Sequence, residues 1–363
     1  KYSQESNPER YNEIEQEYYK LKREDPEHNL LKGVCYIKLN ETLQEFDIEQ
    51  EKTRNKYPTY EMVKEEFEKK YALIKNIGIY IEETSTGLIQ YSQSIFNVSH
   101  KMFKYYKYEN GKHIECNFIK VWTQDANMRM YDCCDMYPPP LDKTCPANVY
   151  NLWRPFYIST LTSEYEKNEE ALKAFINHVL ILCNHQESVK NHILLWIGQM
   201  LKHPAVKTIC PTFISDEGAG KGTLLDWLRA AMGDKKVMET RRPSEHVWGA
   251  FNELMADAFL VNLNEMCKKE AEGAEGEIKG LITDNALFIN SKGVKKYAIK
   301  SYHRFLITTN KEDPIATKKG DRRNLIIRSS DELTIENNPN IITEYFDPLR
   351  EKIMSINGMR TIY

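Results

Sequence analysis

The stretch "FISDEGAGKGTLLDWL", Phe213–Leu228, places Lys221 among three glycines. The runs on either side of this turn differ in residue composition and in the spacing of their apolar residues. The run before it, "KTICPTFI" at Lys207–Ile214, is apolar and β-branched and indicates a buried strand. The run after it, "GTLLDWLRAAMG" at Gly222–Gly233, has apolar residues at helical spacing and ends in glycine. A strand, a glycine-rich turn and a helix aim the free N–H groups of a helix N-terminus at the turn, so we predict a phosphate-binding loop.

This loop departs from the P-loop pattern, which is Gly, four residues, then Gly-Lys-Ser/Thr. Gly220 and Lys221 fit the pattern. Ser215 stands where the first glycine is expected, and Gly222 follows the lysine, so that Thr223 offers the nearest hydroxyl. A turn that binds nothing is the alternative, but a lysine flanked by glycines has little structural purpose. The predicted nucleotide-binding residues are Glu217, Gly218, Ala219, Gly220, Lys221, Gly222, Thr223 and Leu224.

The composition indicates a globular protein with a sizeable core. The chain has 363 residues, of which 41% are hydrophobic, enough for two or three domains. Its formal net charge of −3 argues against a surface coated by nucleic acid, so any such contact is expected to be local. Neither a membrane-spanning apolar run nor a signal peptide is recognisable, so we predict an intracellular protein with no membrane contact. The chain begins at Lys1 rather than Met, and we expect a fragment of a longer polypeptide.

Eight cysteines without a CxxC pair favour a reducing compartment. Five residues raise a zinc site as an alternative, although their spacing matches no established ligand pattern: His113, Cys116, Cys133, Cys134 and Cys145.

Changes of texture along the chain predict five regions. Residues 1–75 form a helical N-terminal region, 76–160 a small α+β module and 161–205 a helical collar or linker. Residues 206–335 alternate strands and helices, which predicts an α/β nucleotide-binding core with a largely parallel central sheet. Residues 336–363 form a C-terminal helical segment.

Acidic and amide residues at the ends of later strands complete the predicted site. In "AFLVNLNEM", Ala258–Met266, an apolar strand ends in Asn264-Glu265, and Glu265 is the predicted general base. Thr223, Asn264 and Glu265 are the predicted Mg²⁺ residues. Asn310 follows the strand in "RFLITTNKEDP" and is the predicted sensor of the γ-phosphate. A solvated strand-end carboxylate and an ordinary turn asparagine are the alternatives.

Two groups of basic residues are further candidates for contact with phosphate. Arg322 and Arg323 precede another apolar strand. Acting on the site of a neighbouring subunit, they could stabilise the charge of a phosphoryl group during its transfer; alternatively, they could be solvated. The run "LFINSKGVKKYAIKSYHR" reads as a hairpin with its turn at Ser291–Gly293. Its basic residues make it the most basic window of the chain: Lys292, Lys295, Lys296, Lys300 and Arg304. We predict DNA phosphate contacts by Lys292, Lys295 and Lys296, with a solvated hairpin as the alternative.

Taken in order, these stretches resemble the Walker A, Walker B, basic hairpin, sensor 1 and arginine-finger elements of superfamily 3 helicases. The likeness is greatest to the helicase part of primase-helicases of large DNA viruses, phages and mobile elements. "HILLWIGQMLKHPAVKT", before the loop, and "IKGLIT", after it, add to the likeness. The resemblance covers the core well and the first hundred residues not at all.

The resemblance implies an AAA+-type core that forms a hexamer around single-stranded or forked DNA. ATP with Mg²⁺ would lie between subunits, with Lys221 and Glu265 on one side and Arg322 or Arg323 on the other. Asn310 would sense the γ-phosphate, and the hairpin around Lys292 would move DNA. A primase domain upstream, and a viral replication site or host cytoplasm or nucleus as location, are implied in the same way.

Two other functions stay open. The Gly-Lys-Gly-Thr order also resembles that of nucleoside monophosphate kinases, although some 210 residues precede the loop here. The absence of an aspartate at Asn264 allows a degenerate ATPase that serves as a DNA-binding ring or scaffold.

Overall fold

The computed structural model describes residues 12–13, 16, 57–84, 87–139, 144–266, 272–312, 314–315 and 320–363. Contacts between residues divide the chain into two units. The first contains the described residues up to Ala72 together with Tyr91–Arg129, and the second contains Leu73–Gln90 and Met130–Tyr363. Most of the predicted helical N-terminal region, residues 1–75, lies outside the described residues. The five predicted region boundaries stay predictions.

The helices are α1 Tyr60–Phe67, α2 Gln93–Ser99, α3 Phe118–Trp122, α4 Tyr157–Thr160, α5 Glu169–Leu182, α6 Glu187–Lys202, α7 Lys221–Met232, α8 Pro243–His246, α9 Glu275–Thr283, α10 Asp347–Met354 and α11 Ile356–Ile362. The strands are β1 Tyr71–Ile74, β2 Ile79–Thr84, β3 Gly87–Tyr91, β4 Lys104–Glu109, β5 Lys112–Asn117, β6 Met130–Tyr131, β7 Cys133–Asp135, β8 Val149–Asn151, β9 Cys210–Ile214, β10 Val237–Thr240, β11 Leu260–Asn264, β12 Ala286–Ile289, β13 Tyr297–Lys300, β14 Arg304–Thr309 and β15 Asn324–Arg328. Short 3₁₀ turns cover Asp234–Lys236 and Glu253–Ala256, and a π-helix covers Ile342–Phe346.

The first unit is held together by aromatic packing. Phe67, at the end of α1, meets Phe96, Phe118 and Trp122 with ring centroids between 5.0 and 6.2 Å apart. The indole N–H of Trp122 donates to Glu68 at 2.8 Å. The sequence predicted a helical region as far as residue 75, but the last helix of this region ends at Phe67. The residues "YALI" instead form β1, because three of the four side chains are buried in a sheet rather than on one helical face.

The second unit contains a five-stranded sheet in the order β10-β11-β14-β9-β15, and every neighbouring pair is parallel. All residues of β9 and β14 are buried. Continuous burial is expected for central strands of a parallel sheet that is covered on both faces. The predicted α/β fold with a largely parallel central sheet is therefore confirmed. A smaller sheet has the order β3-β2-β1-β6.

Helices precede and follow the parallel sheet along the chain. Two helices, α5 and α6, lie within residues 161–205, where the sequence predicted a helical collar or linker. The C-terminal helices α10 and α11 both pack on α5. Throughout the described ranges, every helix is too short or too polar to cross a membrane.

Candidate functional site

The glycine-rich loop joins the carboxyl end of β9 to the first turn of α7, as the sequence predicted. Gly220 is the cap residue of α7 and has φ of 98°, in the left-handed region that favours glycine. A Cβ atom at Gly220 would lie 2.5 Å from Cε1 of His178, on α5. Position 220 therefore needs glycine for both its backbone angle and its close neighbour.

Lys221 folds back over this loop. Its Nζ donates to the carbonyl oxygens of Ser215 at 2.7 Å and Asp216 at 3.2 Å, and to the Ser215 hydroxyl. Burial lowers the pKa of Lys221, while the carboxylates of Glu265, Asp216 and Glu217 act in the opposite direction. Carbonyl oxygens are weaker partners for an ammonium than charged oxygens are, so an anion at this site would compete for Lys221.

A cavity of about 450 Å³ opens beside the loop. Residues from Glu217 to Thr223 line it together with Glu265, so the structure brings Lys221, Thr223 and Glu265 into one site. Leu224 is buried beneath the loop and does not line the cavity. The volume lies in the range of small-molecule sites.

Glu265 reaches the cavity through an unusual backbone turn. It directly follows β11 and has φ of 59°, which is uncommon for a residue other than glycine. Its N–H donates to the carbonyl oxygen of Thr308 at 2.8 Å. Left-handed conformations at such residues cost of order 1–3 kcal/mol and cluster at functional sites.

Asn264 lies beside the cavity rather than in its wall. Its Nδ2 donates to Glu239 at 2.7 Å, and its Oδ1 accepts from the Thr308 hydroxyl at 3.1 Å. Both ends of the amide are therefore engaged with protein groups. Of the three residues predicted to hold Mg²⁺, Thr223 and Glu265 face the cavity and fit an oxygen-ligated cation.

Asn310 follows β14, which pairs in parallel with β9. It therefore lies at the carboxyl ends of the strands, on the same side of the sheet as the phosphate loop. The N–H of Ser215, in the loop, donates to the carbonyl oxygen of Thr309 at 3.2 Å. Within the described part of the chain, the Oδ1 atom of Asn310 is buried without a hydrogen-bond partner. Buried polar atoms are nearly always paired, so this amide is available for a water or a ligand.

Arg322 and Arg323 lie at the opposite end of the strands, where β9 and β15 begin. They precede β15, whose first residue Asn324 pairs with Cys210 at the start of β9. The five residues of β9 span about 17 Å, so both arginines lie far from the phosphate loop of their own chain. They line a separate cavity of about 650 Å³ with Trp196 and Lys207.

The C-terminal segment supplies residues that the sequence analysis missed. Arg350, on α10, lines the nucleotide-sized cavity, and its guanidinium donates to the Thr223 hydroxyl at 3.4 Å. Ile335, just before this segment, completes an apolar wall with Ile341, Ile342 and Phe346 of the segment. Arg241, which follows β10, is a further cation of the lining. The basic pair Arg241-Arg242 could have indicated Arg241, whereas no local pattern marks Arg350.

The predicted hairpin is present. Strands β12 and β13 pair antiparallel, with Ile289 opposite Tyr297 and the turn between them. The side chain of Asn252 anchors this hairpin, because its Nδ2 donates to the carbonyl oxygen of Phe288 at 2.9 Å and its Oδ1 accepts from the N–H of Asn290 at 2.8 Å. Gly293 in the turn has φ of 79°.

Three of the five basic residues of this window are exposed, namely Lys292, Lys295 and Lys296. The other two, Lys300 and Arg304, have structural partners within the protein. Lys300 pairs with Asp135 at 3.2 Å, and Arg304 is buried and donates to the carbonyl oxygens of Tyr302, Pro204 and Val206. Carbonyl groups surround Arg304 because a buried charge needs polar partners.

Phe288, on the exposed face of β12, is 58% exposed, and the ammonium of Lys296 lies 5.0 Å from its ring centroid. An aromatic ring beside exposed cations is an arrangement that suits single-stranded nucleic acid. In the described ranges, no three His, Cys, Asp or Glu side chains are grouped so as to hold a metal ion.

The fold and loop define an α/β protein whose parallel sheet carries a phosphate-loop arrangement. Residues 213–323 match a protein family described as a family of unknown function, DUF5906. The DNA primase-polymerase of Nitratiruptor phage NrS-1 is 26% identical over 164 residues, which are 43% of this chain and 22% of that protein. The chain thus spans less than a quarter of the length of this curated relative.

Solved structures of NrS-1 share the fold. An apo structure of the NrS-1 C-terminal region has a TM-score of 0.59 at 17% identity and covers 81% of this chain and 68% of its own. A second apo form has a TM-score of 0.58 at 19% identity and covers 81% of this chain and 65% of its own. The predicted resemblance to primase-linked replication proteins of phages is confirmed by this shared fold and by the sequence similarity to a phage primase-polymerase.

Proposed function

We propose that this chain is the ATP-hydrolysing helicase motor of a replicative primase-helicase. The observation that carries the proposal is the meeting of Lys221, Thr223 and Glu265 in one cavity, at the N-terminus of α7. A helix N-terminus with a lysine favours phosphate groups, and a carboxylate opposite them can accept a proton from water. The similarity to a phage primase-polymerase supports a role in DNA replication.

Hydrolysis would follow from these groups. Water attacks the γ-phosphorus, a new P–O bond forms, and the bond to the bridging oxygen breaks, so that ADP leaves with the electron pair. Glu265 accepts the proton of the attacking water. Lys221 and Arg350 stabilise charge on the phosphate oxygens, and Asn310 holds a γ-phosphate oxygen or the water. Thr223 and Glu265 would hold Mg²⁺, which supplies charge neutralisation.

A ring assembly, which we propose to be a hexamer, would complete the site. Arg322 and Arg323 lie where the strands begin, at the end of the sheet away from their own loop. They could therefore contact only the nucleotide of a neighbouring subunit. Arginine supplied in this way stabilises the transition state of phosphoryl transfer.

The exposed lysines of the hairpin are proposed to contact single-stranded or forked DNA. Lys292→Ala combined with Lys295→Ala is expected to reduce duplex unwinding more than basal ATP hydrolysis, because the change removes positive charge from the DNA-facing turn and leaves the nucleotide cavity intact. The salt dependence of single-strand binding should fall by about 0.7 in logarithmic slope for each DNA phosphate that the variant no longer neutralises. Binding titrations at several salt concentrations and a forked-duplex unwinding assay measure both effects.

Lys107→Ala combined with Lys112→Ala is the matched control, because both residues are exposed lysines of the other antiparallel hairpin, β4–β5. Equal losses of hydrolysis and unwinding in the Lys292 and Lys295 variant would mean that the hairpin supports the fold rather than the DNA.

The test of the proposed function is ADP release from ATP and Mg²⁺ with and without single-stranded DNA. Stimulation by DNA without dependence on AMP supports the motor. A requirement for AMP would instead indicate a nucleoside monophosphate kinase. Tight nucleotide and DNA binding without turnover would indicate a degenerate ATPase that serves as a ring or scaffold.

A further inference from the structure

A buried histidine connects the phosphate loop to the C-terminal segment. His178, on α5, is fully buried, and its Nε2 lies 3.0 Å from the carbonyl oxygen of Gly220. Its Nδ1 lies 3.2 Å from the hydroxyl of Tyr345. A carbonyl oxygen only accepts, so Nε2 must carry the proton, and Nδ1 must accept from the Tyr345 hydroxyl. The contacts form a chain from Tyr345 through His178 to Gly220.

The charge state of His178 suits this chain. Burial lowers the pKa of His178 to about 4, the bond to Gly220 acts against this shift, and the nearby Arg350 adds to it. Burial also raises the pKa of Tyr345. At neutral pH the imidazole is therefore neutral, with one donor and one acceptor nitrogen, and the phenol keeps its proton.

The hydrogen bond from His178 reaches the loop at a sensitive point. Gly220 immediately precedes Lys221, and its lack of a Cβ atom allows the imidazole to approach more closely than any side chain at 220 would permit. The direction of the Gly220 carbonyl sets the plane of the peptide whose N–H belongs to Lys221. His178 thus restrains the orientation of the first helical N–H of α7.

Tyr345 belongs to a segment that also borders the cavity. It lies within the π-helix Ile342–Phe346, of which Ile342 and Phe346 line the cavity wall. Single π-helical turns occur frequently at functional sites. The same short turn therefore contacts both the space for a ligand and the buried imidazole.

We infer that His178 and Tyr345 are positioning residues of the phosphate loop, which couple the apolar cavity wall formed by the C-terminal segment to the orientation of Gly220 and Lys221. The consequence for nucleotide binding rests on the proposed function, whereas the restraint on the loop does not. Neither residue touches the reacting atoms; both act through the Gly220 peptide.

The test uses Tyr345→Phe, which removes only the hydroxyl. We expect amide hydrogen exchange of residues 215–222 in the nucleotide-free protein to become about five-fold faster, since one hydrogen bond is lost. A fluorescent ATP analogue is expected to bind about five-fold more weakly for the same reason. Tyr80→Phe is the matched control, because it also removes the hydroxyl of a buried tyrosine of the second unit. Tyr80 lies on β2, which does not belong to the sheet that carries the phosphate loop.

A second pair of variants separates donation from packing. His178→Gln keeps an N–H that can reach the Gly220 carbonyl, whereas His178→Leu fills the space without a donor. We expect the glutamine variant to recover most of the loop protection and analogue affinity that the leucine variant loses.

The outcomes are distinct. Loop exchange unchanged in Tyr345→Phe, or raised equally in Tyr80→Phe, overturns the inference whether or not the protein binds ATP. Faster loop exchange in Tyr345→Phe alone supports the positioning role. If the loop responds in this way but the parent protein binds no nucleotide, the proposed function fails while the restraint on the loop stands.

Discussion

Replacing Lys221 with alanine is expected to lower ATP turnover at least about 100-fold, the effect of removing one preorganised charge-stabilising group from an active site. The reason is geometric. Lys221 is the first residue of α7, and its Nζ lies among the carbonyl oxygens of Ser215 and Asp216, inside the loop that would enclose the phosphates. A lysine at this position offers a positive charge that no neighbouring side chain of the loop replaces. Phosphate release from ATP under saturating Mg²⁺ measures the effect.

Lys235→Ala is the matched control for this prediction. Lys235 is exposed and lies just beyond the other end of the same helix, in the turn Asp234–Lys236. It should keep parental turnover. Turnover in Lys221→Ala equal to that of Lys235→Ala would show that the loop is not the site of hydrolysis, and the motor proposal would then be wrong.

Glu265→Gln is expected to separate nucleotide binding from hydrolysis. The amide keeps the size of the side chain but cannot accept the proton of the attacking water, so turnover should fall by about 10²–10⁴-fold. Affinity for ATP measured without Mg²⁺ should stay the same or rise, because glutamine removes a negative charge from the cavity that would receive a triphosphate. Single-turnover hydrolysis and equilibrium binding of an ATP analogue measure the two quantities separately.

Glu245→Gln controls for the loss of a carboxylate elsewhere in the second unit, since Glu245 is exposed and pairs only with Arg242 at 3.5 Å among the described residues. A Glu265→Gln protein that hydrolyses ATP at the parental rate would remove Glu265 from the role of general base. Loss of ATP binding along with turnover would assign Glu265 to holding the loop instead.

Local patterns in the sequence were sufficient to predict the core elements of the site. The apolar run before the loop and the helical spacing after it predicted β9 and α7, with the strand beginning three residues later than expected. Strand ends at Glu265 and Asn310 were predicted in the same way, because polar residues that follow a buried strand meet at one edge of a parallel sheet. Each of these predictions depends on periodicity over a few residues, which burial imposes directly on the sequence.

The positions of several charged and polar side chains depend on contacts between residues far apart in the chain. Local periodicity in the sequence does not predict such contacts. Arg304 counted as surface charge until the fold buried it against the carbonyl oxygens of residues about a hundred positions earlier. Arg350 reaches the Thr223 hydroxyl, and Tyr345 reaches His178, only because the C-terminal segment packs on α5. The sequence by itself determined the strand, loop and helix of the phosphate site, whereas the tertiary structure alone decided which cations face the cavity and which imidazole holds Gly220, because long-range packing places those groups.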